Sequence, residues 1–246
     1  MIYRTILLML FCRAAIAGEV NAAVAANFAA PAGQIAELFA KETGNSVRLS
    51  IGATGKFYVQ IRQGAPFDVL LAADEETPKL LEQQNLAVAG SGFVYAEGRL
   101  VLWSAKPGYV DSKGTVLGAG SYNKIAYADP RLAPYGRAAV EVLQNMNLME
   151  KVRGRVVTGE SIGQTYQFAA SGNAELAFIA LSQIMKEGRV SRGSWWAVPA
   201  NLYRPIRQTA VELTAARDKD AAHAFLAFLK GREAENIIKG YGYGLH

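Results

Sequence analysis

The chain of 246 residues holds one cysteine and two histidines. So few soft ligands exclude a disulfide framework and any Cys/His zinc cluster. Charged residues make up only 19% of the chain, and 26 Lys+Arg stand against 21 Asp+Glu. The resulting +5 is scattered, with no Lys/Arg run interleaved with aromatics, so no nucleic-acid groove is expected. After the first residues no stretch reaches 18 unbroken apolar positions, which excludes a bilayer-spanning helix there. What is present is globular: 51% hydrophobic residues, 24 Gly and 8 Pro. The length admits one large α/β domain or two of roughly 100–150 residues.

The N-terminus carries Arg4, an apolar stretch from Ile6 to Phe11, and the small-x-small site Ala15-Ile16-Ala17. This is the layout of a secretory signal peptide over 1–17, too short to span about 30 Å of hydrocarbon. Cleavage after Ala17 removes Cys12, Arg4 and Arg13, leaving a cysteine-free chain with a balance of +3. A cysteine-free exported chain suits the periplasm. Phe11 before Cys12 argues against lipid attachment.

Short apolar runs then alternate with helical periodicity. Strands are expected at Val20–Ala26, Val47–Ile51 and Val69–Ala72. Helices are expected at Pro31–Lys41, Phe57–Gln63 and Glu75–Asn85. The βαβαβ order favours parallel strands flanked by helices. Further strands fall at Arg99–Ser104 (RLVLWS), Ile125–Ala128, Arg155–Val157, Leu176–Ala180 (with a helix behind it) and Ile206–Leu213. Helices fall at Arg137–Asn147, Gln164–Ala170, Asp218–Lys230 and Arg232–Lys239. The two long strands near 99–104 and 206–213 bracket the second group of βα units. The simplest architecture has two α/β lobes joined by two crossing strands: 18–98 plus 207–246, and 99–206. A single continuous sheet is the alternative.

No catalytic set emerges. His223 and His246 have no nucleophile motif beside them. Gly52-Ala53-Thr54-Gly55-Lys56 has the wrong spacing for a phosphate loop, and Phe57 stands where Ser/Thr would hold magnesium. Asp74-Glu75-Glu76 reads as a charged helix start rather than a metal site. Trp195-Trp196 reads as surface-loop packing. Asp68 reads as structural, because a carboxylate beside an anion repels it.

A stronger pattern lies in four strand-to-helix turns: Ala26-Asn27, Thr54-Gly55, Pro134-Tyr135-Gly136 and Ser161-Ile162-Gly163. The first N–H groups of a helix have no internal acceptors, and the dipole places about half a positive charge there. Such ends take anions without a formal cation. Any one turn is an ordinary cap. Two in each lobe, facing each other, would form one anion cleft.

These turns sit within stretches that resemble the molybdate-binding periplasmic proteins of molybdenum ABC transporters. The matching stretches are AAVAANF (22–28), LSIGATGKFYVQIRQGAPFDVLLAADE (49–75), GRLVLWSAKPG (98–108), IAYADPRLAPYGRAA (125–139), ESIGQTYQFAASGNAELAFIALSQI (160–184) and LKGREAENIIKGYGY (229–243). The resemblance implies a two-lobed periplasmic-binding-protein type II fold. Each lobe would hold a mainly parallel sheet. It implies a non-enzymatic receptor with no cofactor, whose ligand is molybdate or tungstate. The ligand positions carried over are Ala26, Asn27, Thr54, Tyr135 and Ile162, with molybdenum held as its oxyanion and no direct metal ligand. Asn27 is expected to donate by backbone and side chain. Thr54 would donate by hydroxyl and N–H, Ile162 by N–H, and Tyr135 by N–H and phenol. Ala26 lacks the hydroxyl of some relatives, and Ala180 stands where one branch has tyrosine. The implied partner is an inner-membrane ABC permease, met by a monomeric periplasmic receptor. Two other readings stay open. One is a receptor of the same fold for another small anion such as sulfate or an organic acid. The other is a secreted hydrolase using helix ends as an oxyanion hole.

Overall fold

The computed structural model describes residues 17–190 and 192–245. The expected signal peptide, save Ala17, and His246 lie outside the described residues. The first sheet is built from β1 (Glu19–Ala25), β2 (Ser46–Gly52), β3 (Val69–Leu71) and β4 (Phe93–Gly98). Between them lie a 3-10 turn (Ala26–Phe28) running into α1 (Ala29–Thr43), then α2 (Thr54–Arg62) and α3 (Glu76–Gln83). The second sheet begins with β5 (Leu100–Ser104), followed by α4 (Thr115–Ala119), β6 (Ile125–Ala128), α5 (Pro134–Asn145) and α6 (Met149–Val152). It continues with β7 (Val156–Gly159), α7 (Ile162–Ala170) and β8 (Leu176–Ala180). A small hairpin of β9 (Met185–Lys186) and β10 (Arg189–Val190) precedes β11 (Ser194–Ala197). The chain then returns to the first sheet as β12 (Ile206–Glu212) and closes with α8 (Lys219–Leu229) and α9 (Arg232–Gly240).

The sheet orders are β2-β1-β3-β12-β4 and β7-β6-β8-β5-β11. In each, four strands run one way and one runs against them: β12 in the first, β5 in the second. Each opposed strand is the first laid down after the chain passes between sheets. The crossing strands expected near 99–104 and 206–213 are therefore β5 and β12, and the two sheets are separate rather than continuous. The two-lobed α/β architecture follows from this repeated topology.

Period-two alternation explains why the strands read as unbroken apolar runs. In β1, Val20, Ala22 and Val24 face Phe28, Phe39 and Phe225, while Ala23 turns to the opposite face with Phe57 and Leu70. In β5, Leu100 and Leu102 pack with Phe178 and Leu143, while Val101 and Trp103 face Ile179 and Ala169. Helices cover both faces of the central strands, which are apolar on both; the edge strand β2 (SVRLSIG) keeps Ser46 and Arg48 exposed.

The sequence pattern announces no element at 93–98; β4 is held there by antiparallel pairing to β12, a long-range partner that its own pattern, FVYAEG, does not reveal. Two expectations change. The helix expected behind β8 is only a 3-10 turn (Leu181–Gln183). The hairpin that follows turns on Glu187 (φ 51°) and Gly188 (φ 73°), two successive positive φ values that suit a tight two-residue hairpin turn. Trp195 and Trp196 belong to β11, paired to β5. Trp196 is buried in the second core and lies over Gly114, where a Cβ would sit 2.4 Å from its ring.

Candidate ligand-binding site

The helices begin earlier than their periodicity suggested. Thr54 and Ile162 are the first residues of α2 and α7, and Tyr135 is the second of α5. Pro134 suits the opening position of α5 because it has no N–H to lose. These site residues therefore sit inside first turns rather than in loops before them. Their N–H groups have no helical carbonyl four residues back to reach.

Capping side chains would compete for those donors. The residue before the 3-10 turn is Ala25, and Phe28, Ala53 and Ala133 precede α1, α2 and α5. None supplies a side-chain cap. Only Ser161, before α7, caps, accepting from the Gln164 N–H at 3.2 Å. The ordinary-cap explanation therefore holds at one turn of four.

Ala26, Asn27, Thr54, Tyr135 and Ile162 all line one hollow between the lobes. The rest of the lining is alanine, glycine and proline, with no charged residue among it. The cavity volume is about 10 Å³, room for about one water and far below the roughly 300–1,000 Å³ of sites for drug-sized organic molecules. It has no room for a ligand of that size.

The individual groups differ in what they can offer. The Thr54 hydroxyl accepts from the Ala73 N–H at 3.0 Å. That bond occupies a lone pair and leaves the hydroxyl proton to be donated. Ile162 presents only its N–H; its carbonyl accepts from Gln183 Nε2 at 2.9 Å. Asn27 departs from expectation. Both hydrogens of its amide are committed, to Gln208 Oε1 at 2.8 Å and the Tyr243 hydroxyl at 3.0 Å. Neither amide hydrogen is thus left to donate to a ligand. The Tyr135 phenol oxygen also has a protein partner. It accepts from Gln208 Nε2 at 3.3 Å and packs so closely on Gly98 that a Cβ there would lie 2.1 Å from it.

Gln208, Tyr95, Tyr243 and Ser182 were not singled out from the sequence. Together with Asn27 and Tyr135 they form a buried polar network behind the hollow. Tyr95 donates to Gln208 Oε1 at 3.0 Å, while Tyr243 and Ser182 each donate to the Asn27 carbonyl at 2.8 Å. The pairing of β12 with β4 slips at Gln208/Thr209; such bulges re-aim side chains beside functional sites. Burial pushes the hydroxyls of Tyr95, Tyr135 and Tyr243 well above the usual tyrosine range, so all three stay neutral. The available signals were a glutamine within a long strand, IRQTAVE, and a tyrosine-rich tail. Neither names its partners.

The lobes touch on both flanks of the hollow. Gly55 N–H donates to the Leu132 carbonyl at 2.9 Å. Lys56 pairs with Glu160 at 2.6 Å, and Arg137 with Asp74 at 2.8 Å. These contacts resolve two other sequence features. Lys56 serves an ion pair across the lobes, and Asp74 accepts from the Thr77 N–H at 3.0 Å in the first turn of α3. Among the described residues, no group of three His, Cys, Asp or Glu side chains could hold a metal ion. Asp68 is buried at the far end of β3 and accepts from the N–H groups of Asn21 and Arg217.

A small uncharged hollow ringed by helix starts, between two α/β lobes that the chain links twice, defines a two-lobed ligand-binding protein. Comparison with known proteins agrees. The profile of the family described as bacterial extracellular solute-binding protein matches residues 20–244, and the chain belongs to that family. It is 55% identical over 232 residues to the molybdate-binding protein ModA of Azotobacter vinelandii, covering 94% of this chain and 92% of that one. It is 52% identical over 230 residues to ModA of Rhodobacter capsulatus, covering 93% and 89%. A solved structure of the periplasmic molybdate-binding protein of Azotobacter vinelandii superposes with a TM-score of 0.90 at 43% identity, covering 92% of this chain and 99% of that one. The chain is accordingly a solute-binding protein and not an enzyme.

Proposed function

We propose that the chain is an extracytoplasmic receptor that binds molybdate, and tungstate as well, in the interlobe hollow and delivers it to an ABC permease of the inner membrane. The similarity to molybdate-binding proteins supports the ligand. The observation that carries the site is the convergence of Ala26, Asn27, Thr54, Tyr135 and Ile162 on one uncharged hollow, with three of the four helix approaches uncapped. We place the lobes at 18–98 plus 207–246 and at 99–206, with the signal peptide over 1–17 directing a monomeric receptor to the periplasm.

The mechanism is binding without chemistry. The anion docks on one lobe, and the lobes rotate about the two crossings until donors from both surround it. Backbone N–H groups of Asn27, Tyr135 and Ile162, with the N–H and hydroxyl of Thr54, replace its water. Oriented dipoles supply the field that a counter-ion would otherwise provide. Selection follows from two features. A shell fitted to molybdate and tungstate, which are alike in size, holds the smaller sulfate loosely. A protonated phosphate needs an acceptor for its hydrogen, and no carboxylate lines the hollow.

Calorimetric titration with molybdate, tungstate, sulfate and phosphate tests this. Molybdate and tungstate are expected to bind alike and far more tightly than the other two; equal affinity for sulfate overturns the selectivity. In the same assay Thr54→Ala is expected to weaken molybdate binding by roughly 1–3 kcal/mol, since it removes a donor to a desolvated anion. Lys56→Met should act far less. Its ion pair is exposed, with 43% and 69% of the two side chains accessible, and such pairs contribute about 0.2–1 kcal/mol. Stopped-flow displacement should show faster release by less than about fivefold, and the difference from wild type should shrink at high salt.

A further inference from the structure

We infer that Gln208 is a positioning residue that holds the anion donors of the two lobes in one register. The inference rests on the proposed anion site and concerns what sets its geometry. One carboxamide spans both halves. Its Oε1 accepts from Asn27 in the first lobe and from Tyr95 beside it, and its Nε2 donates to the Tyr135 hydroxyl in the second. Asn27 and Tyr135 both line the hollow, and the side chain of each is tied to Gln208.

The geometry gives the tie its function. Gln208 is fully buried on β12, the strand by which the chain re-enters the first sheet. A buried carboxamide is not free to leave its partners, because each orphaned group would lose its solvation without replacement. On the other side of the same bridge, Gly98 ends β4, and its missing side chain is what admits the Tyr135 hydroxyl. The bridge is complete only when α5 of the second lobe lies where it does against β12 of the first. Closing the lobes therefore completes the network, and the network fixes how far apart the Asn27 and Tyr135 donors stand. That separation is the quantity by which a rigid shell distinguishes a larger oxyanion from a smaller one.

The test compares wild type, Gln208→Met, Tyr135→Phe and the double variant by calorimetry with molybdate and with sulfate, alongside melting curves without ligand. Methionine keeps the volume of glutamine, and phenylalanine keeps the Tyr135 N–H while removing the hydroxyl. Each single variant is expected to weaken molybdate binding about tenfold and to lower the molybdate-to-sulfate affinity ratio. The double variant should lose little more than either single one, as expected of two residues acting through one bond. A merely structural role would lower the melting temperature while leaving that ratio unchanged. Unchanged ratios in both singles, or strictly additive losses, overturn the inference while the anion site stands. If Gln208→Met fails to fold, Tyr135→Phe alone decides by its ratio. Failure of the wild type to bind any of the oxyanions removes the anion site and this inference with it.

Discussion

Replacing Ile162 by proline is expected to weaken molybdate binding by about 1.5–3 kcal/mol, or roughly 10- to 150-fold, the range for hydrogen bonds to charged groups. The substitution deletes one backbone donor at the first position of α7, where proline is compatible with the helix. Ser161 before it is already extended, at φ −145° and ψ 165°, as a residue preceding proline must be. Ile162 is also buried in the second core, so the ring loses apolar contact as well. Ile162→Ala separates the two effects. It shortens the side chain and keeps the N–H. Calorimetry should place the alanine variant close to wild type in affinity and the proline variant well below it, with melting temperatures lowered in both. Matching affinities for the two variants would show that the Ile162 N–H does not touch the anion.

Gly136→Ala is expected to produce the largest loss of stability. Gly136 is the third residue of α5 and lies against the end of β6. A Cβ there would stand 2.1 Å from the Ala128 carbonyl oxygen and 2.8 Å from its carbon. Both are backbone atoms of a strand paired on each side, to β7 and β8, so the helix must move instead. Overpacking of this kind costs about 3 kcal/mol, near the top of its usual range. That corresponds to a fall of about 6–12 °C in Tm. The same displacement carries the Tyr135 N–H away from the hollow, so molybdate affinity should fall with stability. Gly33→Ala is the control of opposite sign. Gly33 lies within α1 with open space around its Cβ position, and alanine there should stabilise the chain by up to about 1 kcal/mol. Thermal melts of the two variants with and without molybdate check both signs.

These two substitutions act on backbone, which is where the sequence was most informative. The four turns around Asn27, Thr54, Tyr135 and Ile162 were visible because helix starts leave local marks: a proline at the opening position, small residues, and a change of periodicity. What local marks could not show was the occupation of side chains. The Asn27 amide was expected to face the ligand. It turns instead to Gln208 and Tyr243, which lie 181 and 216 residues further along the chain. The Tyr135 phenol accepts from Gln208, 73 residues further along the chain, at the junction of the lobes. For β4, and for β11 with its two tryptophans, strand character comes from a partner strand and not from their own alternation.

Most of the order of strands and helices, the two long strands that carry the chain between lobes, and the small, uncharged character of the turns were determined by the sequence alone. They rest on periodicity and on backbone chemistry within a few residues. The tertiary structure alone decided that the four turns meet at one hollow, that three of the four are left without a side-chain cap, and that Gln208 ties Asn27 of one lobe to Tyr135 of the other. Those outcomes depend on which distant groups come within about 3 Å of each other. A hydrogen bond is settled at that distance, and separation along the chain does not record it.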